Sequence, residues 1–243
     1  MARGFNSDKV VSSTFSKKTD GSSEIQGNSS FYPVEGHQGQ AIASKGNANL
    51  LNMFSVPLYK FSIPNWEEEK KEIIASLPEE KLVKTRDEDI HTDFFDYYGK
   101  GLLPPYSDLI LDILLPYMGM VCEHQWCGIN GMWYQTEHKY QKHMLHNHGT
   151  VGWSSVLYIN YDSEVHTATR FLSPYNKIAG SGGLLNWFQP KVKEGDYIIF
   201  PSDLAHEAMP NESDKKRTII SVNFSSTPAF PIKQFEVPKL PDK

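Results

Sequence analysis

From Ile129 onward the chain is a succession of short β-forming runs, and this texture limits its fold more than anything else in the sequence. GMWYQ, SSVLYINY, ATRFLS, GLLNWF, DYIIFP and RTIISVNF are rich in branched and aromatic residues, with Gly, Pro, Asn and Asp between them. Branched and aromatic side chains fit a pleated, half-buried surface, and the intervening residues are turn formers. Strands recurring about every ten residues read as a sandwich or barrel. Ahead of them, FSVPLYKFSIP alternates and predicts a strand. WEEEKKEIIASL predicts a helix, with Asn65 at the cap position, glutamates in the first turn and Pro78 beyond the end. Leu109, Ile110, Ile113 and Leu114 share one face of a second helix over 106–120. Helices followed by strands place helical support outside one sheet of a mainly β fold.

Three regions follow. Residues 1–50 hold nine Ser, six Gly and four Asn with little apolar periodicity, and read as a flexible arm. Residues 51–128 read as a strand with helical support, and 129–243 as the β core with a C-terminal tail. Lys and Arg number 24 against 29 Asp and Glu, a net charge of −5 that argues against a nucleic-acid or membrane-surface binder. LILDILLPYMGMV is the most apolar stretch; Asp112 and Pro116 interrupt it, and it is too short to span a bilayer. MARGFNSDKVV has no apolar signal-peptide core. Cys122 and Cys127 cannot frame a disulfide scaffold, and with His124 they lack a fourth zinc ligand, so free thiols are expected. Gly180, Ser181, Gly182 and Gly183 read as a loop, since no phosphate-binding Lys follows them. The expectation is a soluble, cytoplasmic protein.

The informative histidines lie in KHMLHNHG and DLAHEAMPN. In a strand, residues i and i+2 project from one face, so His146 and His148 would point together, and His206 from a distant strand would complete a facial metal set. Imidazole suits iron, zinc, copper or nickel, so ligand type alone selects no metal. The plainer alternative is a polar loop–strand junction and a hydrogen-bonded core histidine; spacing alone leaves both open. His143 is odd-spaced from His146 and would face the other side of the strand, and His138 also falls outside the set. Asp162 and Glu164 in DSEVH read as a surface turn.

The order of features extends beyond the histidines. In VKEGDYIIFPSDLAHEAMPNESDKKRTIISVNF, Gly195-Asp196 precedes a strand ending in Phe200-Pro201. His206 follows, and Arg217 comes eleven positions later. This resembles the C-terminal signature of the 2-oxoglutarate, Fe(II)-dependent oxygenases. HNHGTVGWSSVLYIN is similar to the H-x-[D/E] strand and Tyr-containing strand of prolyl-hydroxylase-like members, in particular oxygenases of marine bacteria and their phages. The similarity runs from about Phe54 to Phe224 and leaves out the arm.

The resemblance implies a double-stranded β-helix (a jelly roll, cupin-like) with flanking helices. It also implies a dioxygenase that uses Fe(II), 2-oxoglutarate and O2 to hydroxylate an unidentified substrate, releasing succinate and CO2. Its metal ligands would be His146 and His206, with His148 standing where the family has a carboxylate: either it is the third ligand, or it does not ligate, or the iron chemistry is altered or lost. Three neutral imidazoles can leave the same coordination sites open, at one more unit of positive charge. Arg217 would hold the distal carboxylate of 2-oxoglutarate as a planar fork, with Tyr158 donating to the same group and Ser221 and Asn223 on the pocket side of the Arg strand. Two alternatives remain: a three-His metalloenzyme that does not use 2-oxoglutarate, and an inactive jelly-roll module serving interaction or virion association. An ordered arm would need another subunit or a partner to offset about 1–2 kcal/mol per residue of lost entropy, so a homo-oligomer through the arm is one of two expectations. Deleting residues 1–48 is expected to leave iron content unchanged and to alter oligomeric mass; loss of folding together with iron would place those residues in the catalytic domain.

Overall fold

A computed structural model describes residues 55–78, 90–122, 126–149, 152–174 and 187–225, with short strands at 42–43, 49–50, 83–84 and 233–236. Most of the expected arm, the glycine loop at 180–183 and His124 lie outside the described residues. The chain forms two compact units, residues 1–56 with 173–188, and residues 57–172 with 189–243. In the first, β1 (Ile42–Ala43) pairs antiparallel with β2 (Asn49–Leu50).

The second unit contains β3 (Tyr59–Ser62), α1 (Trp66–Ser76), β4 (Val83–Lys84), β5 (His91–Thr92), α2 (Ser107–Val121) and β6 (Trp126–Glu137). It continues with β7 (His143–His146), β8 (Trp153–Asn160) and β9 (Arg170–Leu172). The two-residue strand β10 (Trp187–Phe188) belongs to the first unit; β11 (Asp196–Pro201), β12 (His206–Ala208), β13 (Arg217–Ser225) and β14 (Lys233–Glu236) complete the second. One antiparallel sheet runs β3-β11-β8-β13-β6-β5-β4, with β14 also on β6. In the smaller sheet β12 lies between β7 and β9. Two antiparallel sheets with helices on one of them agree with the expected mainly β architecture. Among the described residues no helix is long and apolar enough to cross a membrane.

Alternation along the strands of the large sheet separates two cores. Leu157 and Ile159 of β8, Tyr197 and Ile199 of β11, and Ile220, Val222 and Phe224 of β13 pack with Ile110, Leu111, Leu114 and Met118 of α2. Their neighbours Val156, Tyr158, Ile198, Phe200 and Ile219 form a second cluster with Phe171 of β9. Side chains at successive strand positions point to opposite faces, so the large sheet holds helices on one side and the smaller sheet on the other. An irregularity opposite Asn223 and Phe224 lets β6 change face at Asn130. Cys127 and Ile129 before it, and Met132 and Tyr134 after it, therefore all reach the helix side. Gly131 lies at this bend under the Tyr98 ring, where a Cβ would come within 2.0 Å of ring carbon Cδ2.

Local signals were realised with one difference. Asn65 precedes α1 but adopts a left-handed backbone (φ 51°) and makes no side-chain cap. Its carbonyl accepts from Glu68 and Glu69 N–H instead, and the acidic first turn complements the helix dipole. Pro116 lies inside α2, where it removes one helical hydrogen bond. The buried face formed by Ile110, Leu111, Leu114, Leu115 and Met118 holds that helix in place. Gly195 has φ +80°, which favours glycine, and Asp196 then closes the turn by accepting from Lys193 N–H and Ser62 Oγ.

Asp93 ties the α2 segment to β6. Its carboxylate accepts from the Tyr106 hydroxyl at 2.7 Å and the Tyr134 N–H at 2.9 Å, and it is fully buried. Burial outweighs these bonds and pushes its pKa up to about 6. The folded protein therefore holds this proton more tightly than the unfolded chain. The resulting stability is complete below pH 4 and is lost as pH rises through 6, about 3 kcal/mol in all. Denaturant titrations between pH 4.5 and 7.5 are expected to show this decline in the parent and its absence in Asp93→Asn.

Candidate metal centre

His146 closes β7 and His206 opens β12, and the two are cross-strand partners. His148 lies beyond the end of β7, so strand alternation does not bring it in. Its backbone N–H donates to Ser202 O at 2.8 Å, and this loop contact carries its ring back over the site. One ring nitrogen of each histidine lies within 4.8 Å of the other two. His148 Nε2 and His206 Nε2 are 3.3 Å apart. Bonds of ~2.0–2.1 Å to a common cation put facial ligand nitrogens roughly 3 Å apart, close to the His148–His206 separation.

The outer contacts of the rings suit ligation. His146 Nδ1 lies 2.6 Å from Met144 O and His206 Nδ1 lies 2.8 Å from Leu204 O. A carbonyl can only accept, so Nδ1 carries the proton and Nε2 keeps a lone pair in both neutral rings. Burial, then the neighbouring His146, holds His206 well below the ordinary histidine range and so neutral. His148 Nδ1 lies 3.3 Å from the Asn223 amide, whose oxygen accepts from Ser154 Oγ at 2.8 Å. Ligation through His148 Nε2 needs its proton on Nδ1. The Asn223 amide supplies the required acceptor when it turns its oxygen to the ring. The donor set fits a divalent iron.

His143 departs from its expected place. Its ring stacks on His146 with centroids 4.0 Å apart, and it lines the pocket. The register between β7 and β12 shifts at this point, with three residues spanned against two, which returns His143 to the His146 face. His138 instead meets His91 edge-on at 4.9 Å. Asp162 stays in its turn, paired with Lys215, and among the described residues no carboxylate replaces His148. Cys122 and Cys127 are free thiols, half-buried and buried.

Of the residues expected at the co-substrate, Ser221 and Asn223 line the pocket, together with Trp133, Gln135 and Thr169. Gln135 keeps its buried amide oxygen without a hydrogen-bond partner. Pocket residues of β6 were legible only as an alternating run: once Trp133 faces the site, Gln135 must follow. Arg217 and Tyr158 do not open onto the pocket, contrary to expectation. The Tyr158 hydroxyl donates to Thr169 Oγ1 at 3.1 Å and accepts from Thr169 N–H. Arg217 Nε donates to Glu137, directly opposite it on β6. Its Nη1 donates to Thr167 O and Oγ1 and its Nη2 to Met209 O. Glu137 is what the sequence reading overlooked, and cross-strand register with Arg217 is what reveals it.

Residues 131–223 match a family model described as "Putative 2OG-Fe(II) oxygenase". That stretch, 93 of the 243 residues, is similar to the core of the 2-oxoglutarate, Fe(II)-dependent oxygenases. The fold agrees. The non-heme α-ketoglutarate-dependent carbocyclase SnoK from nogalamycin biosynthesis superposes with a TM-score of 0.53 at 12% identity, over 70% of this chain and 79% of SnoK. HygX from Streptomyces hygroscopicus, solved with nickel, 2-oxoglutarate and hygromycin B, gives 0.52 at 12% identity, over 70% of this chain and 83% of HygX. No curated protein matches the sequence. The oxygenase thus uses Fe(II), 2-oxoglutarate and O2 on a double-stranded β-helix. Because Asn223 is the pocket-side partner of His148, Asn223→Ala is expected to weaken iron affinity roughly 10–100-fold, as measured by chelator competition.

Proposed function

We propose that His146, His148 and His206 are the iron ligands of this oxygenase, and that it hydroxylates a C–H group of an organic substrate. The convergence of three imidazoles, two of them with their tautomer set by a backbone carbonyl, carries this reading. Bound iron supplies the redox chemistry that couples oxidation of the 2-oxo acid to oxidation of the substrate. The overall balance is one O2, one 2-oxoglutarate and R–H giving R–OH, succinate and CO2.

The chain's own residues do the positioning. Ser221 and Asn223 border the co-substrate, and Arg217 with Tyr158 serves its distal carboxylate once the guanidinium is released from Glu137. Trp133, tilted over His148 with centroids 5.5 Å apart, and Phe200, edge-on to His206 at 4.7 Å, exclude water from the ligand rings. Free thiols at Cys122 and Cys127 favour a reducing compartment, and we assign the protein to the cytoplasm. Assembly through residues 1–50 remains the proposed oligomeric mode.

Protein loaded anaerobically with Fe(II) is expected to convert 2-oxoglutarate to succinate on admission of O2. His206→Ala is expected to lose iron by more than the roughly 10–100-fold typical of outer contacts. His148→Asp, which restores a carboxylate, is expected to keep iron and turnover. Iron binding without succinate would favour the three-His enzyme that does not use 2-oxoglutarate; failure to bind iron would leave the inactive module.

A further inference from the structure

We infer that Glu137 is a built-in competitor for the distal carboxylate of 2-oxoglutarate: it occupies Arg217 until the co-substrate displaces it, and so sets affinity and selectivity for a dicarboxylic 2-oxo acid. This rests on the proposal that Arg217 is the distal anchor.

The geometry of the pair carries the inference. Arg217 and Glu137 are register partners on β13 and β6, 2% and 1% exposed. Three oxygens that do not belong to Glu137 fix the guanidinium: Thr167 O at 2.7 Å, Thr167 Oγ1 at 3.1 Å and Met209 O at 2.6 Å. Glu137 adds a single contact, from Arg217 Nε to Oε2. Its other oxygen, Oε1, is buried with no hydrogen-bond partner. Arginine and a carboxylate form their strongest contact as a two-pronged fork, and an unmade bond to a buried charged oxygen is costly. The guanidinium is therefore held in position independently of an anion that meets it on one prong only. Such an arrangement favours exchange of the anion over permanent pairing.

The chemistry of the occupant agrees. A glutamate side chain ends in –CH2–CH2–COO−, the same group as the distal half of 2-oxoglutarate. Arg217, Ile219, Ser221 and Asn223 alternate along β13, and the last three line the pocket. The guanidinium thus lies on the site's side of the strand, beyond Ile219 from the histidines. Exchanging one carboxylate for another leaves Arg217 paired throughout, and the displaced Glu137 carboxylate has to reach water, since a buried charge without a partner is costly.

Metal-free parent, Glu137→Gln and the double variant Glu137→Gln/Arg217→Met are to be titrated calorimetrically with 2-oxoglutarate, glutarate and 2-oxobutyrate, with melting temperatures read in parallel. Glutamine keeps the shape and an acceptor for Nε–H but removes the charge. Glu137→Gln is expected to bind 2-oxoglutarate and glutarate at least about tenfold tighter than the parent. It should bind 2-oxobutyrate, which lacks the distal carboxylate, unchanged, and glutarate should raise its melting temperature more than the parent's. The double variant is expected to lose the gain. No gain in Glu137→Gln, with weaker binding in the double variant, overturns the competitor role and leaves Arg217 as anchor. Equal binding by Glu137→Gln and the double variant removes Arg217 as anchor, and the competitor with it. Should Glu137→Gln not fold, Glu137→Asp withdraws the carboxylate by one methylene and carries the same expectation, and its failure to bind tighter is equally decisive.

Discussion

Strand β13 is buried on both faces along its whole length, and the rest of the protein is arranged by its pairing with β6 and β8. A strand paired on both edges has its backbone polar groups satisfied within the sheet, which makes complete burial affordable. Its two faces then do different work. Ile220, Val222 and Phe224 join the core beneath α2, while Ile219, Ser221 and Asn223 line the site. Register is therefore a functional quantity here. A slip of one residue would send Ser221 and Asn223 into the helix core and Ile220 and Val222 into the pocket.

The metal centre depends on a second feature, the meeting of β7 and β12 at the His146–His206 pair. Both strands are short, and the contacts that orient the rings come from backbone carbonyls two residues upstream, Met144 for His146 and Leu204 for His206. Each of these histidines thus carries its own orienting acceptor nearby in the chain, and the sheet has only to bring the two segments together. His148 differs. Its position comes from the Ser202 carbonyl and its ring contact from Asn223, both distant in sequence. That dependence on tertiary partners follows from its place outside any strand.

Polar burial is distributed unevenly around this framework. Ser154 links Asn223 to Ser202 behind His148, so the outer support of this ring is a connected set of hydrogen bonds. At the other end of β13, Glu137 leaves one oxygen unpaired beside a guanidinium whose remaining contacts are to neutral oxygens. A buried pair of this kind is weak evidence for stability, because desolvation offsets most of the Coulombic gain. Its location on the site's side of the sheet gives a reason for its presence that stability does not.

Much of the protein was legible in the chain itself. Alternating β runs announced a mainly β fold, helical spacing announced α2, and the order Gly195-Asp196, His206, Arg217 pointed to the oxygenases. These are local signals, set by which side chains fit a pleated surface or a helix face and by turn chemistry. Other features were decided only by chain segments meeting. His148 joins His146 and His206 through a loop contact with Ser202 and not through strand alternation. His143 returned to the His146 face because a register shift adds a residue to one strand, which no local pattern records. Arg217 was recognisable from spacing, yet its partner was not, because Glu137 lies 80 positions away and becomes its neighbour only through the β6–β13 register. The sequence by itself determined which elements form and which residue types are available for chemistry. The tertiary structure decided which of them share a site, because cross-strand partnership depends on register between distant segments, and register is set by the packing of whole faces.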